Sequence, residues 1–95
     1  MKKIKIFEYA GDFAENKDVA KRIRIEQILV ALEKNEQVEL DFYAVSGATQ
    51  SFVHAMISEI IRQKGPQVLD KIIFKNCNDT IKKVINIVVE YMQEA

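Results

Sequence analysis

Val38-Glu39-Leu40-Asp41-Phe42-Tyr43-Ala44-Val45-Ser46-Gly47-Ala48-Thr49-Gln50-Ser51-Phe52 reads as a strand that halts at a small-residue turn and restarts as a helix. Val38, Leu40 and Phe42 share one side at period two. Gly47 then breaks the alternation, and Thr49 and Ser51 stand ahead of an apolar run at helical spacing. In open α/β sheets, ligands and partners meet the loops beyond the carboxyl ends of the strands. The segment from Tyr43 to Ser51 is therefore the first place to look for function.

Downstream, a helix is expected over roughly Gln50 to Lys64, with Thr49 as its N-cap. Phe52, Val53, Met56, Ile57, Ile60 and Ile61 fill one half of its circumference, and His54, Ser58 and Arg62 share the other. Gly65-Pro66 closes it, since glycine accepts the left-handed C′ conformation and proline cannot continue a helix. A connector follows, then an alternating strand over Lys71 to Lys75 and a turn with Asn78 or Asp79 as N-cap. The last helix, roughly Asp79 to Gln93, buries Ile81, Val84, Ile85, Val88, Val89 and Met92, with Ile87 and Tyr91 extending the arc.

Upstream, Lys3 to Tyr9 alternates and reads as the first strand. Ala10 to Lys17 reads as a loop, with Asn16 or Asp18 available to cap the next helix. That helix runs roughly from Asp18 to Lys34, and Asn35 suits its left-handed end. It carries two apolar stripes: Ile25, Ile28, Leu29 and Leu32 in one, Val19, Ile23 and Val30 in the other. Two stripes exceed what a helix lying on one sheet face needs. A neighbouring helix or a partner surface, such as a homodimer, would cover the second.

The expected fold is therefore α/β in the order βαβαβα, a small, mainly parallel sheet of three to four strands in one domain spanning residues 1–95. Strands separated by helices lie parallel with right-handed crossovers. Because the strands alternate, helices should cover mostly one face, which favours the spatial order 1-2-3.

Lys+Arg and Asp+Glu are equal at 14 each. That balance argues against a nucleic-acid or anionic-membrane partner. The single cysteine, Cys77, excludes an internal disulfide, and with one histidine it completes no metal-ligand set. The N-terminus is too charged for a signal peptide, and no apolar run approaches the ~18 residues that span a bilayer. A cytoplasmic protein without cofactor or metal is expected.

No catalytic constellation appears. Gly47 stands alone where a phosphate cradle would need several glycines. His54 lies one turn from Ser51, with nothing to hold its imidazole as a base. Asp41 is placed either to bond loop amides or, as a lone carboxylate, to ligate a cation. Ser46, Thr49 and Ser51 crowd the loop, where hydroxyls serve as caps and turn formers or as phosphoacceptors.

Leu40 to Phe52 resembles the central motif of STAS domains, the sulfate transporter and anti-sigma factor antagonist fold. The chain is more similar still to the bacterial STAS-like domains of unknown function, through Asp41-Phe42, Val45, Ser51-Phe52 and Phe74-Lys75-Asn76-Cys77-Asn78. The resemblance implies a non-enzymatic, regulatory protein-interaction module. It further implies a partner of the histidine-kinase-type ATPase class acting as a serine kinase. In a gap-free match Thr49 falls at the family's Asp, Gln50 at its phosphorylated Ser, and Ser51 at its second Ser. Ser51 is thus the expected phosphoacceptor, with Thr49 and Ser46 as alternatives. The expected partner surface comprises Asp41, Tyr43, Ser46, Gly47, Thr49, Gln50 and Ser51, with His54, Ser58 and Arg62 on the exposed edge of the helix. Two other readings stand beside it. One is a small ligand- or nucleotide-binding domain or enzyme using Asp41 and the helix N-terminus, and the other a structural dimer subunit.

Overall fold

The computed structural model describes residues 1–94. The first half of the chain runs β1 (Lys2–Lys5), α1 (Ile6–Ala10), β2 (Phe13–Ala14), α2 (Lys17–Ile23), a π turn (Arg24–Ile28) and α3 (Leu29–Glu33). The second half runs β3 (Val38–Asp41), β4 (Gly47–Ala48), α4 (Gln50–Lys64), a 3₁₀ segment (Pro66–Lys71), β5 (Ile72–Lys75) and α5 (Asp79–Glu94).

The strands β1, β3 and β5 lie side by side in that order, all parallel, as the helices between them require. Register places Ile4, Leu40 and Phe74 in one row and Lys5, Asp41 and Lys75 in the next. Side chains two apart share a face. One face therefore carries Ile4, Val38, Leu40 and Ile72, all buried, and it receives the helices. The other carries Lys3, Lys5, Ile73 and Lys75, all exposed. On that open face the central Glu39 is 8% exposed and sits 3.8 Å from the Lys75 Nζ.

The helix α4 is the centre of the helical layer, packed on α2 on one side and α5 on the other. Phe52, Val53, Met56, Ile57, Ile60 and Ile61 are all buried. The Thr49 Oγ1 accepts the Phe52 amide at 3.1 Å, and Gly65 ends the helix at φ 86° with its N–H on the Ile61 carbonyl. Among the described residues no helix is long and apolar enough to cross a membrane.

Several local expectations change. The first strand stops at Lys5 instead of reaching Tyr9, and Ile6–Ala10 coils into a helical turn closed by Gly11 at φ 74°. Ile6 is thereby buried while Phe7 and Tyr9 face solvent. The expected loop before the first long helix contains β2, which pairs in parallel with β4. The connector after Pro66 is a full 3₁₀ segment. On α5, Ile87 and Tyr91 are 50% and 61% exposed instead of extending the buried arc.

The rod over residues 17–33 is interrupted by its π turn, where the Leu29 amide bonds the Arg24 carbonyl five residues back. Ala20 and Ile23 are buried before the turn, Ile28 at its last position and Ala31 after it. Five residues of α-helix would rotate Ile28 well off the line of Ile23, and the wider turn restores the alignment. The two apolar stripes are therefore halves of one core line joined across the π turn. Ile25 and Val30 are what is left over, 47% and 42% exposed.

Candidate functional site

At the carboxyl end of β3 the chain makes a tight corner, and nearly every polar group in it has a structural partner. Asp41 comes first: its Oδ1 accepts the Tyr43 amide at 2.9 Å and the Asn76 side-chain amide at 2.9 Å. The Val45 N–H closes a turn on the Phe42 carbonyl at 3.0 Å. Ala44 is at φ 69° and Tyr43 is not among the positive-φ residues, which makes this a type II turn. Alanine in that left-handed conformation costs about 1–2 kcal/mol. The surrounding bonds hold it there.

Beyond the turn, the Asp12 carbonyl accepts the Ser46 amide at 2.7 Å, the Ser46 hydroxyl at 2.9 Å and the Gly47 amide at 3.3 Å. The Thr49 amide bonds the Ala14 carbonyl at 2.9 Å. From the opposite side, Asn78 Nδ2 donates to the Ser46 carbonyl at 2.8 Å, while its Oδ1 accepts the Ile81 amide and so caps α5. The ring of Phe13 lies against Gly47, where a Cβ would come within 2.9 Å of it. The corner is thus clamped between β2 and the start of α5.

The clamp sorts the three hydroxyls. Ser46 Oγ is committed to Asp12, and Thr49 Oγ1 to capping α4. Ser51 carries neither duty; it is exposed, as are Tyr43, Ser46 and Gln50. It sits on the first turn of α4, where backbone amides lack intrahelical acceptors and favour negative charge.

Ser51 also lines a groove of about 480 Å³ with Lys17, His54, Ala55, Val88 and Tyr91. Three helices build it: α2 supplies Lys17, α4 the middle residues, and α5 the last two. The His54 and Tyr91 rings are 6.4 Å apart and tilted at 57°. Arg24, at the start of the π turn, reaches across to the Ala55 carbonyl at 2.8 Å and ties α4 to the first rod.

One expected surface residue is not on the surface. Ser58 is 3% exposed, and its hydroxyl donates back to the His54 carbonyl. Because α5 packs along this side of α4, only His54, half-buried, and Arg62, exposed and paired to Glu59 at 2.9 Å, remain reachable. Lys17 and Tyr91 enter the site without any signal in the sequence, since only the packing of α2 and α5 on α4 brings them to Ser51. Cys77 is half-buried, and burial pushes its thiol above the ordinary range, so it is held protonated.

The Asp41 carboxyl is lowered below the usual 3.8, first by the Asn76 bond and then by the Tyr43 amide, with burial opposing. A carboxyl lowered by folding contributes stability that is complete above its unfolded value and is lost as pH falls through the folded one. Wild type should therefore lose more stability than Asp41→Asn when urea unfolding is repeated at pH 3 and pH 7. Equal losses would mean that the carboxylate does not organise the corner.

A model of one protein family, described as a STAS-like domain of unknown function, matches residues 19–82. No curated protein and no solved structure matches the chain.

Proposed function

The chain belongs to the STAS-like domain family, and from that premise we propose that it is a non-enzymatic regulatory module that binds another protein through the Tyr43 to Ser51 corner. Phosphorylation of Ser51 gates that binding. The observation that carries the reading is the division of labour at the corner. Its backbone and the Ser46 and Thr49 hydroxyls are locked in structure, while Tyr43, 74% exposed, and Ser51 project from it.

A rigid, exposed corner meets a partner without paying much ordering entropy. A phosphoryl group on Ser51 adds about −1.5 to −2 charges at the amide-rich end of α4. There it is tolerated by the fold and changes only what a partner meets. A serine kinase of the class implied by the resemblance would find Ser51 accessible without unfolding α4. The ligand or enzyme reading is weakened because Asp41 Oδ1 is already engaged by Tyr43 and Asn76.

The test is capture of partner proteins from the native host by wild type, Ser51→Ala and Ser51→Asp baits, read by quantitative mass spectrometry. A specific partner should be retained by Ser51→Ala and weakened at least tenfold, about 1.4 kcal/mol, by Ser51→Asp. Undiminished capture by Ser51→Asp removes Ser51 as the gate.

A further inference from the structure

The groove that opens beside Ser51 has a chemistry that names the kind of partner it accepts. Its floor is Ala55 on α4, half-buried, over the buried Val88 on α5, and it is flanked by Tyr91, which is 61% exposed with its ring tilted against that of His54. Exposed aromatic residues beside a recess are the usual anchors of protein interfaces. One turn earlier on α5, Ile87 is 50% exposed and continues the apolar strip away from the groove. The lining carries one full charge, the ammonium of Lys17, and none of its described residues is acidic. The first turn of α4 adds the partial positive charge of the helix dipole at the same mouth.

We infer that this groove is the docking site for an acidic, apolar segment of a partner protein, one that places a carboxylate between Lys17 and the start of α4 and an aliphatic side chain against Ala55 and Tyr91. The inference rests on the Ser51-gated reading above and deepens it by giving the gate its chemistry. A phosphoryl group on Ser51 stands where the partner's carboxylate would stand. It takes up the Lys17 ammonium and the helix amides and repels the incoming acid. Phosphorylation therefore acts by competition for one electropositive spot. The open face of the sheet, with Lys3, Lys5 and Lys75 exposed, offers positive charge too, but it lies across the sheet from this groove.

The probes are two amphipathic peptides of equal length, one built from leucine and glutamate and the other with lysine replacing every glutamate. They are titrated into the ¹⁵N-labelled full chain. The acidic peptide should shift the amides of Lys17, Ser51, His54 and Tyr91, and its affinity should fall as salt is raised. Lys17→Glu should weaken it about tenfold, and Tyr91→Ala by a similar factor, with both variants keeping the wild-type amide spectrum elsewhere.

Stronger binding of the lysine peptide, shifts centred on the open sheet face, or shifts from neither peptide would overturn the inference. The two levels separate cleanly. If Lys17→Glu abolishes peptide binding while Ser51→Asp leaves it intact, the groove stands and the gate falls. If Ser51→Asp weakens the native partner but Lys17→Glu does not, the gate stands and the acidic segment is wrong.

Discussion

Phe52→Ala should lower the free energy of unfolding by about 3–5 kcal/mol, the range for removing a fully buried aromatic ring. Phe52 is 0% exposed and sits in the first turn of α4, immediately behind the corner. A chain of this size has about 5–14 kcal/mol in total, at roughly 0.05–0.15 kcal/mol per residue. The variant would therefore retain little margin and would melt more than about 12 °C lower, at about 4 °C or more per kcal/mol. The cap on the same turn is worth less: Thr49→Ala, which removes the acceptor for the Phe52 amide, should cost about 1 kcal/mol. That ordering says the ring anchors the helix start and the hydroxyl only finishes it. Urea unfolding followed by far-UV circular dichroism measures both. A Phe52→Ala loss below that of Thr49→Ala would show that the ring is not in the core.

The strength of that anchor is also why this part of the chain could be read in advance. For α4 the cap, the apolar half-cylinder and the Gly65-Pro66 stop all agree, and its bounds, Gln50–Lys64, fall where they were expected. The strands β3 and β5 and their order followed from alternation and from the helices between them. By contrast, Ile6-Phe7-Glu8-Tyr9-Ala10 is too short for a period of two to be told from one of 3.6. The better clue there was Gly11, which serves as the left-handed stop of α1. The pairing of β2 with β4 was out of reach for a different reason. Two residues on each side carry no periodicity, and the clamp is made by backbone groups such as the Asp12 carbonyl.

The site divides in the same way. Asp41 as a loop-bonding carboxylate and Thr49 as a cap follow from residue type and position, because each acts within a few residues of itself, whereas Ser51 is singled out among the three hydroxyls only by the family resemblance. Asn78 as the cap of α5 is as local as Thr49, but its second bond to the Ser46 carbonyl, and the contributions of Lys17, Asn76 and Tyr91, act across the fold, where nothing local marks them. Ser58 shows the limit of helical-wheel reasoning. A polar residue opposite the main apolar arc reads as surface on the helical wheel, but α5 covers that side and the hydroxyl turns back to its own helix.

The π turn yields the second large effect, as a contrast between two deletions. Removing Ile25 should leave the protein folded, within about 1 kcal/mol of wild type, whereas removing Lys21 should cost several kcal/mol or prevent folding. Both residues are exposed, so burial of their own side chains does not separate them. The difference is angular. Each residue of an α-helix turns the rod by about 100°. Within the π turn one residue is surplus, and its loss converts the Ile23 to Ile28 spacing from five to four. That spacing keeps both side chains on one line in an ordinary α-helix, and Ile23 and Ile28 are at most 1% exposed. Within α2 there is no surplus. Loss of Lys21 swings Ala20, at 0% exposed, and the whole start of the rod out of register with Ile23. It also drags the Asn16 cap and β2 with it, and β2 is one jaw of the clamp on the corner. Urea unfolding of both deletion variants, with the amide spectrum of the corner as a second readout, decides the matter. A Lys21 deletion as stable as the Ile25 deletion would show that the π turn sets no register, and that the stripes on either side of it are independent surfaces.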